Sequence, residues 1–206
     1  MSFLDLAKKR YSVRAYTEKK VEKEKLEAIL EAAHVAPTGA NNQPQHLIVV
    51  ESDEGMNKVG KAANTYGAPL VIIICSDRNV TWTRPFDGKK LTDIDASIIT
   101  DHMMMEATDL GLGSVWICYF KPDVLKEELA IPEGLEPVNI LAIGYADTEK
   151  EPALSPDRHG RLRKPLSSTV SYEQLWINDI PYEYNERAAR RNFGSSFYFT
   201  VFAEHI

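Results

Sequence analysis

Four stretches of the chain carry residue types able to do chemistry. The first is Arg10-Tyr11-Ser12-Val13-Arg14, which leaves a predicted helix for an extended path. In extended backbone alternate residues share a side, so Arg10, Ser12 and Arg14 line up there. Two guanidiniums flanking a hydroxyl form a phosphate-reading arrangement, because the planar guanidinium fork matches phosphate oxygens. A solvated basic turn accounts for the same residues. The second stretch is the loop Ala36-Pro37-Thr38-Gly39-Ala40-Asn41-Asn42-Gln43-Pro44. Its side-chain amides offer donors and acceptors together, as the edge of a heteroaromatic ring requires. An ordinary helix-to-strand turn also uses Pro, Gly and Asn.

The third stretch, Gly111-Leu112-Gly113-Ser114-Val115-Trp116, begins like a dinucleotide fingerprint. Trp116 stands where the third glycine belongs, and a strand follows in place of a helix, which excludes a Rossmann loop. The glycines either let backbone approach a flat ligand or simply end a helix. The fourth is Arg161-Leu162-Arg163-Lys164, where Arg161 and Arg163 share one face of an extended segment. It is a solvated basic loop, or the distant half of a phosphate grip begun at Arg10.

Other candidates carry less. Asp93, Asp95, Asp101, His102 and His159 show no His-x-x-x-His or Cys-x-x-Cys spacing, and helix capping explains the aspartates better than a metal. No Gly-x-Ser-x-Gly elbow supports a nucleophilic serine. His34 and His46 read as helix-end and core-edge residues, and Met103-Met104-Met105 cannot all share a helix face, so core packing claims some of them.

Positioning these stretches falls to alternating helices and strands. Ser2 caps a short helix over residues 2–9, with Phe3, Leu6 and Ala7 on one face. A second helix over 21–34 carries the apolar stripe Leu26, Ile29, Leu30 and Ala33. Strands are predicted over 46–51, 69–76, 114–120 and 138–146, and helices over 54–64 and 122–130. Thr92 with Asp95 reads as a cap opening a long helix to Leu110 that is apolar around much of its circumference and belongs inside. Residues 79–90 form a loop, 147–164 a polar ordered loop or arm. The order α-α-β-α-β-α-β-α-β predicts an α/β or α+β layered sheet.

The bulk properties set bounds. A length of 206 residues suits one domain with a real core. The net charge of −6 argues against a nucleic-acid surface. The beginning of the chain has neither the apolar stretch nor the cleavage site of a signal peptide, and no apolar run spans a bilayer, so a cytoplasmic protein without membrane partners is expected. Cys75 and Cys118 sit in apolar runs and are expected to be buried, inert thiols.

Taken in order, the four stretches resemble the FMN-dependent nitroreductase family over roughly residues 1–175. The resemblance implies an α+β fold, a three-layer α/β/α sandwich around a mainly antiparallel sheet. It further implies an intertwined homodimer with FMN at the subunit interface. By the same resemblance Arg10, Ser12 and Arg14 meet the FMN phosphate and ribityl chain. Pro37, Thr38, Asn41 and Gln43 meet the isoalloxazine and ribityl groups, Val115 and Trp116 belong to the turn running along the flavin, and Arg161 and Arg163 grip the phosphate. Residues 1–171 form the FMN-binding domain and 172–206 an aromatic-rich arm that wraps the partner. Residues 185–206 match no family feature, and an appended origin is one reading of them.

The implied activity is ping-pong transfer from NADH or NADPH, through FMN, to an organic acceptor such as a nitro compound or quinone. No catalytic side chain and no metal are required, and Arg14 is the expected positive group near flavin N1 and O2. Family members that use FMN for dehalogenation or flavin breakdown are the nearest rivals, and a non-redox phosphate-binding module is a rival of another class. Thr38 stands where serine is usual, and Gln45-His46 replaces a frequent Trp-Arg or Trp-His, which alters the pocket wall.

Overall fold

In the computed structural model, which describes residues 1–173, the chain divides into two compact units, Met1–His159 and Gly160–Ile206. The first is built on β1 (Gln45–Val50), β2 (Leu70–Asp77), β3 (Gly113–Ile117) and β4 (Leu135–Gly144). These strands form one antiparallel sheet in the order β1-β2-β4-β3. Around it lie α1 (Phe3–Lys9), α2 (Lys23–His34), α3 (Asp53–Ala62), α4 (Thr92–Asp109) and α5 (Pro122–Leu129). A short helix, α6, covers Arg158–Leu162. In the second unit a single 3-10 turn, Leu166–Ser168, is described, with the Ser168 hydroxyl donating to the Pro165 carbonyl at 2.8 Å.

The two central strands are continuous apolar runs because helices cover both faces of the sheet. Alternate residues go opposite ways. Val71, Ile73, Cys75, Ile140 and Ala142 join Val59 of α3 and Leu125 of α5 on one face. Leu70, Ile72, Ile74, Leu141 and Ile143 join Ile29 of α2 and Ile99 and Met103 of α4 on the other. The result is the expected three-layer α/β/α sandwich with an antiparallel sheet. Burying each of these aliphatic side chains contributes about 1.5–3 kcal/mol.

Several expectations need correction. No side chain caps α4: its N-cap is Leu91, and Asp95 turns inward to the loop before β1 instead. Nor is α4 enclosed on all sides, since Ile94 is 40% exposed. Strand β3 stops at Ile117, so Cys118 falls outside it and is exposed, contrary to the buried thiol expected. Cys75 is buried as expected, and burial pushes its thiol up to about 11. Arg161 lies in the helical turn of α6 and not in extended chain, so the reading of Arg161 and Arg163 on one extended face fails. The tail beyond Glu173, including most of the proposed arm, lies outside the described residues.

A polar lock ties the start of α2 to the end of β4. The Tyr145 hydroxyl donates to Glu22 Oε2 at 2.7 Å, and Lys25 Nζ donates both to Tyr145 at 2.9 Å and to the Leu110 carbonyl at 2.9 Å. Lys19 stands over the Tyr145 ring, 3.9 Å from its centroid. The hydrogen bonds from Tyr145 and then Lys19 hold the Glu22 carboxyl down at about 2.

Two outcomes follow. Ile72→Ala, at a fully buried site, should cost about 2–5 kcal/mol, read as a lower denaturant midpoint at unchanged slope. Because the Glu22 carboxyl is depressed on folding, its contribution is complete above its ordinary value of 4.5 and disappears as pH falls toward 2. Tyr145→Phe should flatten the fall in melting temperature across that window, and a slope equal to wild type would show that the lock is inert.

Candidate functional site

The arginine segment is placed by the edge of β3. Helix α1 opens with a reciprocal cap, Ser2 Oγ accepting from Asp5 N at 3.2 Å and the Asp5 carboxylate accepting from Ser2 N at 3.3 Å. The chain straightens at Arg10 and runs parallel to β3, with Ser12 bridged to Ser114 and Val13 N donating to the Ser114 carbonyl at 3.0 Å. Its residues alternate as extended backbone must: Val13 and Ala15 are buried, while Arg14 is exposed and Ser12 half-buried. The pairing needs Gly113, because a Cβ there would stand 2.5 Å from Val13 Cγ2. Behind the segment the buried Tyr16 hydroxyl lies 3.2 Å from the carbonyls of both Val13 and Ala142, and burial raises its pKa well above the ordinary phenol value.

The turn between α4 and β3 is a helix stop whose geometry fits the motif. Gly111 adopts φ +78°, Leu112 N donates to the Ala107 carbonyl at 2.8 Å and Gly111 N to the Thr108 carbonyl at 3.2 Å. These are the paired bonds of a Schellman cap, which requires a left-handed residue where Gly111 stands. A cavity of about 230 Å³ opens here, lined by Arg10, Val13, Thr108, Leu112, Gly113 and Ser114 among others. The Ser114 side chain is 2% exposed, and its hydroxyl has no hydrogen-bond partner among the described residues. His159 Nε2 donates to the Arg10 carbonyl at 2.6 Å and fixes the backbone at the cavity rim.

The amide loop lies at the other end of α4. After α2 the chain makes a 3-10 turn over Gly39–Asn41, and three non-glycine residues adopt left-handed backbone: Ala40 at φ +50°, Asn41 at +55° and Gln43 at +49°. Such residues cost about 1–3 kcal/mol each unless their surroundings enforce them. Enforcement is visible. Thr38 Oγ1 accepts from Gln43 N at 3.1 Å, Asn42 Nδ2 donates to the Val80 carbonyl at 2.8 Å, and Asp95 Oδ1 accepts from Gly39 N at 2.9 Å. Asn41 and Gln43 are exposed, with Gln43 Nε2 donating to the Asn41 carbonyl at 3.3 Å. Pro37 is exposed and Thr38 half-buried.

The structure thus joins Ser12 and Val13 to the Ser114 backbone, with Arg10 on the same cavity as Gly113 and Ser114, and sets Pro37, Thr38, Asn41 and Gln43 together at the far end of α4. Arg14 is exposed, its guanidinium 6.0 Å from the Tyr66 ring centroid. Val115 is 3% exposed and committed to the core on the α3 and α5 side, so it can offer a ligand only backbone. Trp116 is half-buried, and its indole N–H has no partner among the described residues. Arg161 and Arg163 belong to the second unit and are both exposed. Among the described residues no three His, Cys, Asp or Glu side chains gather to hold a metal.

Three contributors escaped sequence reasoning: Ser114, His159 and Asp95. A signal existed for Asp95, which stands four and eight residues before Ile99 and Met103 and so shares their buried face. For His159 the sequence holds no sign, since its partner is a distant backbone carbonyl, and Ser114 is visible only as part of the glycine turn, with nothing to mark its hydroxyl as buried and unpartnered among the described residues.

Comparison with known proteins places the chain in a family. The model of the nitroreductase family matches residues 7–65 and 57–145, which include the arginine segment, the amide loop and the glycine turn. A protein of Archaeoglobus fulgidus named NADH dehydrogenase/NAD(P)H nitroreductase is 33% identical over 158 residues, covering 72% of this chain and 88% of its own. The crystal structure of a nitroreductase family protein from Clostridium difficile 630 superposes with a TM-score of 0.81 at 60% identity, over 85% of this chain and 100% of that one. An FMN-dependent nitroreductase of Clostridium difficile R20291 superposes with a TM-score of 0.62 at 29% identity, over 85% and 98% of the two chains. With two overlapping matches to the family that together span the sheet and three of the four motifs, this chain belongs to the nitroreductase family of oxidoreductases.

Proposed function

We propose that the chain is an FMN-dependent NAD(P)H oxidoreductase working as a homodimer, which passes electrons by a ping-pong sequence from NADH or NADPH to an organic acceptor such as a nitro compound or quinone. The observation that carries this reading is the docking of residues 10–14 on β3. It brings Arg10 and Ser114, whose hydroxyl has no partner among the described residues, to the lining of one cavity, with Ser12 bridged to Ser114 beside it. Those are the donors a phosphomonoester needs. A buried hydroxyl without a partner is also the kind of orphan that a ligand satisfies.

Bound FMN would supply the hydride acceptance and electron release, chemistry no side chain of the chain can perform. The protein's part is to bind, orient and charge the site. Arg10 and Ser12 hold the phosphate end, with Arg161 and Arg163 as further phosphate ligands. The exposed amides of Asn41 and Gln43, with Pro37 and Thr38, meet the ring edge. Backbone at Val115 and the half-buried Trp116 flank the ring, and Arg14 favours the negative charge of the reduced form.

The positions of the two half-sites support a dimer. Thirteen residues of α4 separate Asp95, bonded to the amide loop, from Thr108 at the arginine cavity, a span of roughly 20 Å. A second copy can bring its own amide loop beside the first copy's arginine segment. It can also cover Phe3 and Val35, which are 72% and 65% exposed around a cavity of about 600 Å³ between α1, α2 and α4. No helix among the described residues is long and apolar enough to cross a membrane.

The purified chain should be yellow or take up added FMN, and NADH or NADPH should bleach it without oxygen. A colourless chain that refuses FMN would sink the proposal in favour of a non-redox phosphate binder. Arg10→Ala should weaken FMN binding about ten-fold to a hundred-fold by flavin fluorescence titration, the loss expected for a charge-assisted hydrogen bond. Arg14→Ala should leave binding closer to wild type and lower the flavin midpoint potential; an unchanged potential removes Arg14 from that role.

A further inference from the structure

The amide loop is shaped against its own backbone preferences, and one buried side chain outside it bonds its backbone. Ala40, Asn41 and Gln43 all hold positive φ, and a Cβ added to Gly39 would lie 2.8 Å from Leu91 Cδ1 and 3.1 Å from Trp82 Cβ. The loop is therefore pressed onto the start of α4. There it meets Asp95, whose side chain is 1% exposed. Burying a carboxylate is costly unless it is bonded, and this one makes a single hydrogen bond among the described residues, from Gly39 N to Oδ1 at 2.9 Å, while Oδ2 has no partner. Capping does not explain it, because the first residues of α4 receive no side-chain cap. Packing does not explain it either: Ile99 and Met103, on the following turns of the same face, are apolar and fully buried.

We propose that Asp95 is the positioning residue of the amide loop, anchoring Gly39 so that residues 40–43 keep the left-handed path that presents Asn41 and Gln43 to the flavin ring. The residue acts through Gly39 and touches neither cofactor nor acceptor. Its consequence for FMN rests on the flavin reading above; the anchoring of the loop does not.

The test therefore has two arms. In the cofactor-free chain, hydrogen exchange followed by NMR should find the Gly39 amide protected in wild type and in Asp95→Asn, whose side-chain oxygen still accepts, and unprotected in Asp95→Ala. Asp95→Leu, which fills the same space without an acceptor, serves where the alanine variant does not fold. In the second arm Asp95→Ala should bind FMN about ten-fold more weakly, equivalent to about 1.4 kcal/mol, with affinity restored in Asp95→Asn. Ile99→Val, a stability control one turn along the same face, should lower the melting temperature and leave both readouts alone. Protection of Gly39 and wild-type affinity in Asp95→Ala would overturn the proposal, as would an equal loss of affinity in Ile99→Val. A wild-type chain that takes up no FMN defeats the flavin reading instead, and the exchange arm then decides the anchor by itself.

Discussion

Everything at this site depends on two backbones meeting at the edge of β3. Residues 12 and 13 can pair with Ser114 because Gly113 contributes no side chain where Val13 must pass. The approach is stabilised from behind by Tyr16, whose hydroxyl lies between the Val13 and Ala142 carbonyls, and from the rim by His159 on the Arg10 carbonyl. Without that contact the segment would be the solvated basic turn its composition also permits. With it, Arg10 and Ser114 line one cavity and Ser12 is held beside them.

The second requirement is stiffness. A loop with three left-handed non-glycine residues keeps its form only if its supports do not yield. The support is the start of α4, itself seated on Leu70, Ile72 and Leu141 of the fully buried central strands. At the opposite end the lock through Lys25 holds the Leu110 carbonyl just before the glycine turn. Local strain near the ligand surface is thus offset by rigid packing beneath it, the usual division between a functional loop and its scaffold.

Much of this was legible in the residues. The alternation of helices and strands, the buried apolar runs of β2 and β4 and the Ser2 cap all express local periodicity, which a single sequence carries directly. The four motifs were legible as residue types. What escaped depends on tertiary partners. Asp95 has the spacing of a capping residue yet faces a loop more than fifty positions away. Cys118 continues the apolar run of β3 but lies beyond its last paired residue, where the sheet no longer covers it. Arg161 sits among residues with no strong preference and takes a helical turn. Val115 follows a strand parity that directs it into the core, which the motif around it does not reveal.

One consequence of α4 reaches beyond either of its ends. The helix contacts the amide loop at its first turn and borders the arginine cavity at its last, so its length acts as a gauge between two surfaces. Adding or deleting one residue would rotate one surface against the other by about 100° and move it about 1.5 Å. Such a change would displace the two surfaces relative to one another without altering a residue in either.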